Sequence, residues 1–321
     1  MASIGVGDAF ILHLPTDGSL HHGIAAPGHV LHHRCGSFHC ADFVGASFGT
    51  LVKGVAPRKG DPPPLAHVLR VTPSLWTDTL PHRTQIIYHT DASLIVGLLE
   101  LKPGSTVAEA GTGSGSLTHA LAQAVRPNGK VFTNDFNKVR VAAAADEFRL
   151  HGLQAIVVGG WRDVCSPLPS GGEVLAEAAA GSDHEAPGLG LGVADASLDA
   201  VFLDVPSPWS AVGHVASALK SQGRFCSFSP CIEQTQRLCD AARASGQFQD
   251  LRTIEVLSRE YHVTRQAPRG SHDGAATVGA KRARASTTTP PDDEAVPSGI
   301  RVESRPVGRG HTAFLTFCRR R

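Results

Sequence analysis

Apolar and polar positions follow two different periods along this chain. Up to about residue 72, short apolar runs such as 8–14 and 67–71 alternate with Gly, Pro and His, which predicts a small β-barrel-like domain over residues 1–72. Beyond that point, strand-like apolar runs alternate with helical periodicity, as in a parallel sheet covered by helices. We therefore expect a second domain over residues 73–321.

The second domain is predicted to be a doubly wound α/β domain. An apolar helix over residues 90–99 comes first, with Thr90 or Asp91 as its N-cap. Residues 253–257 and 312–317 are expected to end the sheet as an antiparallel pair. The remaining strands are predicted near 106–110, 130–135, 154–158, 199–204 and 223–228, and the helices near 116–125, 137–151, 209–220 and 231–245.

Two segments do not fit a compact fold. Residues 166–194 are rich in Gly, Ala and Pro, and residues 267–309 combine Pro, Gly, Ser and Thr with a basic run at 281–284 and an acidic run at 290–294. Both are predicted to be disordered inserts. The basic run is a candidate nuclear import signal or RNA contact, although so short a run is also typical of a solvated loop.

Composition and charge limit the partners. The 321 residues are 41% hydrophobic, and no run approaches the roughly 18 apolar residues needed to span a bilayer. The chain starts without the features of a secretory signal, so we expect an intracellular protein. Lys and Arg number 30 against 29 Asp and Glu. A protein that binds structured RNA without a partner usually carries a larger excess of basic residues. The near balance here suggests that a second subunit would be needed for RNA binding.

Cysteine and histidine spacing predicts no metal site. The seven cysteines form no C-x-x-C pair and are expected to be reduced thiols. Histidines are frequent over residues 21–39, near Cys35 and Cys40, and such a cluster could suggest a zinc site. These two cysteines are five positions apart and lack a second pair, so the spacing does not match structural zinc sites.

A glycine-rich turn is the most informative motif. A strand-like run enters Gly111, Gly113 and Gly115, and Leu117 opens a helix. Glycines there can adopt positive φ and let a ligand approach the backbone, while amides at the helix start supply donors. Asp135, at the end of the next strand-like run, is placed to accept hydrogen bonds from two ribose hydroxyls. The combination predicts a nucleotide-like ligand.

The glycine spacing indicates which ligand. The pattern is G-x-G-x-G after an acidic Glu109, whereas the dinucleotide fingerprint reads G-x-G-x-x-G. It resembles the S-adenosylmethionine loop of class I methyltransferases. Together with the turn from Asp204 to Trp209 and the segments 80–88 and 223–234, the chain resembles the catalytic subunits of eukaryotic tRNA adenine-N1-methyltransferases that modify the T-loop.

The resemblance spans roughly residues 70–265 and 310–317, is looser before residue 70 and is absent over the two inserts. It implies a Rossmann-like class I fold with a mostly parallel seven-stranded sheet. It also implies methyl transfer from S-adenosylmethionine to N1 of a T-loop adenine of tRNA, without a metal. The implied assembly is a heterotetramer of two catalytic and two related non-catalytic tRNA-binding subunits. The implied location is the nucleus, with the cytoplasm as the alternative.

Two other functions stay open. A methyltransferase of this type acting on messenger or mitochondrial RNA would present the same pocket, because the pocket holds a single base. A non-catalytic scaffold paralogue that binds RNA is the second alternative. Gly111, Asp135 and Asp204 are all intact, and the chain is not basic, which counts against the scaffold.

Asp204 is the predicted catalytic residue. Methylation of adenine N1 creates a cationic base, and a carboxylate near the exocyclic amine would stabilise charge that grows in the transition state. The structural alternative is that Asp204 only caps the following helix. Ligands of such sheets bind at the carboxyl ends of the strands, where Asp204 and Gly111 should be neighbours, so we favour catalysis.

The remaining site residues are expected to contact the cofactor. Asp163 would accept from the adenine amino group, with a backbone contact from Val164, and Arg140 would fix that edge of the pocket unless it is a surface arginine. The resemblance adds Gln85 and Ile87, which otherwise read as the start of a core helix. The expected cofactor contacts are Gln85, Ile87, Glu109, Gly111, Gly113, Ser114, Gly115, Ser116, Leu117, Asp135, Arg140, Asp163, Val164 and Asp204.

Overall fold

The computed structural model describes residues 3–81, 85–166, 188–257, 259, 261–265, 300–304 and 312–321. Its contacts divide the chain into two units, residues 1–256 with 312–321, and residues 257–311. In the part of the chain that is described, no helix is long and apolar enough to cross a membrane.

Residues 3–70 form a small antiparallel β structure. Its four-stranded sheet has the order β2–β1–β6–β5, and a separate hairpin joins β3 and β4. Phe10, Leu12 and Phe38 are fully buried in its own apolar core. The domain boundary at residue 72 stays a prediction. The strands are β1 (Ala9–His13), β2 (Leu20–Ile24), β3 (Val30–His33), β4 (Gly36–His39), β5 (Leu51–Lys53) and β6 (Leu65–Arg70).

The large sheet has eight strands in the order β10–β9–β8–β7–β11–β12–β16–β13. The strands from β10 to β12 pair in parallel, and β16 is antiparallel to both β12 and β13, as the sequence predicts. The strands are β7 (Thr106–Ala110), β8 (Lys130–Asp135), β9 (Val157–Asp163), β10 (Gly188–Leu189), β11 (Leu198–Leu203), β12 (Leu219–Ser229), β13 (Phe248–Glu255) and β16 (Phe314–Arg320).

Helices cover both faces of this sheet because its central strands are apolar on both sides. On β11, Phe202 packs into one core cluster, while its neighbours Val201 and Leu203 pack into the other. The expected doubly wound, mostly parallel class I fold is therefore confirmed. The helices are α1 (Pro73–Thr79), α2 (His89–Leu98), α3 (Ser116–Val125), α4 (Lys138–Leu150), α5 (Val212–Ala218) and α6 (Ile232–Ala244).

Several predicted boundaries differ from the structure; β12 begins at Leu219 instead of residue 223, and β13 begins at Phe248 instead of residue 253. Helix α2 begins at His89 after Tyr88, which gives no side-chain cap, so neither Thr90 nor Asp91 is the N-cap. Asp91 is instead buried inside the helix and accepts a hydrogen bond from the Thr312 hydroxyl at 3.4 Å. Strand β9 begins at Val157 instead of residue 154 and continues to Asp163.

The ends of both predicted inserts are also ordered. Gly188–Leu189 form β10 and pair with the end of β9, which adds an eighth strand to the expected seven. Ile300–Ser304 form β15, which pairs with β14 (Tyr261–Arg265) as a two-stranded ribbon. Within the two predicted inserts, residues 167–187, 267–299 and 305–309 lie outside the described residues. Before α5, residues Pro208–Ala211 form a 3-10 helix where one longer helix was predicted.

Candidate active site

A cleft of about 680 Å³ opens at the carboxyl ends of the central strands. It is lined by residues that follow β7, β8, β9, β11 and β12, the edge at which sheets of this type bind ligands. The structure brings together here Gln85, Ile87, Glu109, Gly111, Gly113, Ser114, Ser116, Leu117, Asp135, Arg140, Asp163, Val164 and Asp204, which is every predicted site residue except Gly115.

The glycine loop packs directly against the turn that holds Asp204. Gly111 has a φ of +96°, and a Cβ built there would lie 2.2 Å from the Asp204 carbonyl oxygen. The amide of Asp204 donates to the Ala110 carbonyl at 2.8 Å. Only glycine permits this approach, so the loop and the predicted catalytic residue are held at a fixed spacing.

Gly115 lies under the loop and does not line the cleft. It precedes α3 with a φ of +73°, and a Cβ there would lie 3.1 Å from the ring of Phe148. Its carbonyl accepts a hydrogen bond from His119 Nδ1 at 2.6 Å. Gly115 therefore shapes the loop from below, a role that glycine spacing alone does not distinguish from ligand contact.

The imidazole of His119 begins a chain of hydrogen bonds. Its Nε2 lies 2.9 Å from His151 Nδ1, and His151 Nε2 lies 3.2 Å from His22 Nε2 on β2. The Gly115 carbonyl only accepts, so His119 must donate through Nδ1, and each further imidazole must donate in the same direction. Burial lowers the pKa of His119 to about 4 and that of His151 to about 3, which keeps both rings neutral.

Asp135 is buried at the end of β8 with partners on both carboxylate oxygens. Oδ2 accepts from the Gly113 amide at 3.0 Å, and Oδ1 accepts from the Asn137 amide at 2.8 Å. Arg140 Nε lies 3.4 Å from Oδ1, an ion pair whose angle does not make a hydrogen bond. Arg140 is therefore attached to the pocket and is not an independent surface arginine.

Glu109 lies on the floor of the cleft. Its Oε2 accepts hydrogen bonds from Thr118 Oγ1 at 2.5 Å and from Thr133 Oγ1 at 2.7 Å. Complete burial raises the pKa of Glu109 to about 7, although the two hydroxyls favour the charged form. This carboxyl group therefore keeps its proton to a higher pH than a solvated glutamic acid does.

Asp204 directly follows β11 and faces the same cleft. Burial raises its pKa to about 6, with a smaller contribution from the negative charge of Asp135. Pro206 and Pro208 restrict the backbone after it. The guanidinium of Arg237 lies over the ring of Trp209, 5.2 Å from its centroid, and supports the far side of this turn.

Asp163 ends β9 and is held by its own turn. Its Oδ1 accepts from the amides of Cys165 at 2.9 Å and Ser166 at 3.2 Å, and Oδ2 accepts from the Ser166 hydroxyl at 2.6 Å. Burial disfavours the charged form of Asp163, but these hydrogen bonds outweigh it and lower the pKa of the carboxyl group. A carboxylate has further lone pairs, so Asp163 remains able to accept from a ligand.

Sequence reasoning missed several residues of the cleft. Asn134 and Arg162 each precede a predicted carboxylate, and their side chains donate to the carbonyls of Leu191 and Leu189. They hold the segment after β10 against the site. The full set of lining residues not predicted is Ala110, Thr112, Asn134, Phe136, Arg162, Cys165, Val205, Pro206, Ser207, Pro230 and Gln234.

The side chains of the cleft fit a nucleoside carrying a positive charge. Four carboxyl groups, those of Glu109, Asp135, Asp163 and Asp204, line a space large enough for such a ligand, together with the guanidinium groups of Arg140 and Arg162. Residues 111–114 of the glycine loop line this space beside the start of α3, where backbone amides can donate to a ligand. Among the described residues, no three His, Cys, Asp or Glu side chains are grouped to hold a metal ion.

A family profile described as "tRNA methyltransferase complex GCD14 subunit" matches residues 64–180 and 182–320. The chain belongs to this family. Of its curated relatives, the "tRNA (adenine(58)-N(1))-methyltransferase catalytic subunit TRM61" of Cryptococcus neoformans is 36% identical over 83% of this chain and 55% of the relative. That of Kluyveromyces lactis is 37% identical over 77% of this chain and 59% of the relative. The chain thus spans little more than half the length of these relatives.

Two solved structures share the fold. A SAM-dependent O-methyltransferase of Thermotoga maritima has a TM-score of 0.70 and 22% identity, covering 99% of this chain and 94% of that one. The tRNA (m1A58) methyltransferase TrmI of Aquifex aeolicus has a TM-score of 0.65 and 19% identity, covering 99% of each chain. These likenesses place the GCD14-family chain in the class I methyltransferase fold.

The Gly111 contact gives a direct test of the site. We expect Gly111→Ala to weaken binding of S-adenosylmethionine at least tenfold, since its Cβ would force the loop away from the Asp204 carbonyl. Gly104 is a matched control, because it has a φ of +91° and nothing within 4 Å of a built Cβ. Both substitutions carry a backbone cost of about 1–2 kcal/mol. Calorimetry and chemical denaturation measure the difference, and equal effects of the two substitutions would contradict the clash.

Proposed function

We propose that this chain transfers a methyl group from S-adenosylmethionine to N1 of an adenine in the T-loop of tRNA, as the catalytic subunit of a two-component enzyme. The observation that carries the proposal is Asp204, a carboxyl group with a raised pKa beside the glycine loop. The names of the relatives, which are tRNA adenine-N1-methyltransferase catalytic subunits, support it. The reaction needs no covalent enzyme intermediate.

The chain's own residues would bind and orient the two reactants. Bound S-adenosylmethionine supplies a methyl group on a positively charged sulfonium. Asp135 would hold the ribose hydroxyls, because it ends β8 beside the glycine loop. Asp163 and the backbone of Val164 would contact the adenine edge from the end of β9. Glu109, on the floor of the cleft, and Asp204, after β11, would add negative charge to the cleft.

Asp204 would stabilise the charge that develops on the target base. Adenine N1 attacks the methyl carbon with its lone pair while the carbon–sulfur bond breaks, so the donor leaves as a neutral thioether and the base becomes cationic. An ionised carboxylate near the exocyclic amine favours that cationic state over the neutral base, which lowers the barrier. The base must first leave its tertiary pairing in the folded tRNA, at some cost in free energy.

The two alternative functions, an RNA-binding scaffold and methylation of another RNA, place different requirements on the cleft. A scaffold paralogue would not require Gly111, Asp135 and Asp204 to meet in one cleft, yet they do. Methylation of adenine N1 in messenger or mitochondrial RNA would use the same residues and stays open. Incubation of the purified complex with labelled S-adenosylmethionine and total RNA, followed by mapping of the methylated base, separates these substrates.

Asp204→Asn tests the catalytic role. We expect the methylation rate to fall about 100-fold or more, since the amide keeps the shape but removes the negative charge, while the dissociation constant of S-adenosylmethionine changes little. In the unaltered protein, the rate should fall as the pH drops below about 6, because the raised pKa leaves Asp204 protonated there. Single-turnover kinetics and calorimetry make the comparison. Equal losses of binding and rate would reassign Asp204 to holding the cofactor.

We further propose that the chain acts with a related non-catalytic, tRNA-binding subunit in a heterotetramer of two copies each. The relatives' names include the words "catalytic subunit", and the family description includes the word "complex". The near balance of 30 basic and 29 acidic residues points in the same direction, because several phosphate contacts are normally needed for useful affinity.

The partner proposal predicts a difference in turnover. The chain alone should bind S-adenosylmethionine yet methylate folded tRNA poorly, and activity should rise when the second subunit is added. Turnover of the chain alone and of the chain with the second subunit is measured over a range of salt concentrations. Phosphate contacts make RNA binding salt-dependent, so the salt dependence of turnover should appear with the subunit that supplies those contacts. Full activity with a steep salt dependence for the isolated chain would contradict it.

We also propose that the protein is nuclear, on the basis of the basic cluster at residues 281–284, which lies outside the described residues. Replacing Lys281, Arg282 and Arg284 with Ala in a fluorescent fusion should shift the protein out of the nucleus, because import receptors bind such clusters through their charge. Imaging of the fluorescent fusions with the original and with the altered sequence measures the nuclear fraction of each. An unchanged distribution would remove the support for this location.

A further inference from the structure

Gln234 lines the cleft at the end opposite the residues assigned to the cofactor. It lies in the first turn of α6, directly after β12. Across the sheet, the strands of Asp163, Asp135, Gly111 and Asp204 come in that order, and β12 follows. Neighbouring strands are about 4.8 Å apart, so β12 lies about 10 Å from β7. Apart from Asp204, the expected cofactor contacts on these strands therefore lie toward β9, β8 and β7, and Gln234 borders the cleft at the β12 end.

The orientation of the Gln234 amide is fixed by its neighbour. Its Nε2 donates to the Pro206 carbonyl oxygen at 3.1 Å. A carbonyl oxygen only accepts, so rotating the amide by half a turn would set two acceptors against each other. Oε1 must therefore point away from Pro206. Because Pro206 is two residues beyond Asp204, the same contact ties Gln234 to the predicted catalytic turn.

The oxygen left over is an unused acceptor. Gln234 Oε1 is shielded from solvent and has no donor among the described residues. A buried acceptor without a donor costs free energy, and at a ligand cleft this cost is removed when the ligand supplies an N–H or O–H. The target end of the cleft thus presents two acceptors, the Asp204 carboxylate and the Gln234 amide oxygen.

An exocyclic amine matches this pair of acceptors. The amine of adenine carries two N–H donors in the plane of the base, one beside N1 and one beside N7. A 6-oxopurine such as guanine or hypoxanthine carries an oxygen there, which would face Gln234 Oε1 as a second acceptor. Sites built around a donor reject analogues that lack it far more strongly than apolar pockets reject a missing methylene.

We propose that Gln234 Oε1 accepts a hydrogen bond from the exocyclic amine of the target base and so selects adenine over 6-oxopurines. This assignment rests on the proposed adenine-N1 methylation and adds to it the residue that recognises the base. The other amine within reach of the cleft is the amino group of S-adenosylmethionine. The expected cofactor contacts at the ends of β9, β8 and β7 are separated from α6 by β11 and β12, so the target base is the donor that the positions favour.

The test compares two tRNA substrates and two variants. One substrate carries adenine at the target position, and the other carries unsubstituted purine, which keeps the N1 lone pair but lacks the amine. Gln234→Met removes the acceptor with little change of size. Gln236→Met is the matched control, because Gln236 lies in the same helix and is exposed. All proteins are assayed with the partner subunit, and thermal melting confirms that each variant is folded.

For Gln234→Met, we expect kcat/KM on the adenine substrate to fall about tenfold or more, as for loss of a buried hydrogen bond, with no change on the purine substrate. Binding of S-adenosylmethionine should be unchanged, and Gln236→Met should match the unaltered protein. An equal loss on both substrates would overturn the assignment in favour of a structural role. Weaker cofactor binding by the same factor would overturn it in favour of the cofactor's amine. Absence of N1 methylation by the unaltered complex would instead overturn the proposed function, and this assignment with it.

Discussion

The backbone of Gly111 lies against the carbonyl oxygen of Asp204, and the rest of the site depends on this contact. A Cβ at position 111 would lie 2.2 Å from that oxygen, so no other residue permits the approach. The Asp204 amide donates to Ala110 and extends the β7–β11 pairing to the last residue before the cleft. The loop that would hold the methyl donor and the carboxylate that would face the base are therefore parts of one rigid edge.

The charge of the cleft differs from the charge of the whole chain. Glu109, Asp135 and Asp204 converge in a chain whose basic and acidic residues nearly balance. Burial raises the pKa of Glu109 to about 7 and that of Asp204 to about 6, so the site carries less negative charge than three free carboxylates would. Such a cleft suits a cationic donor and a cationic product base, but not RNA phosphates. The proposed second subunit would resolve this conflict, because it would supply phosphate contacts without placing them beside the carboxylates.

The site residues that could be predicted from the sequence are those whose roles follow from their position at the end of a strand. Gly111, Asp135 and Asp204 each stand where a strand ends, and the edge of a parallel sheet brings such positions together. The end of β9 was predicted too early, at residue 158, because Gly159 and Gly160 lie inside the strand, where glycine has low propensity. That strand is fixed by long-range contacts, such as the Trp161 indole donating to the Phe136 carbonyl at 2.8 Å, and Gly160 leaves room for the Asn134 side chain. Gln234 was missed for the same reason, since its role depends on Pro206, 28 positions away.

The small β structure at the start of the chain is linked to the glycine loop by a chain of histidines. His22 on β2 reaches His151 after α4, and His151 reaches His119, which donates to the Gly115 carbonyl. His119 and His151 must be neutral for this directional chain to form, because each accepts through Nε2, and burial lowers the pKa values of all three imidazoles. In the unfolded chain these imidazoles titrate near pH 6.5, so the folded state loses stability as the pH falls below that value. The N-terminal sheet is thus connected to the site through one side of the glycine loop, while Asp204 fixes the other side.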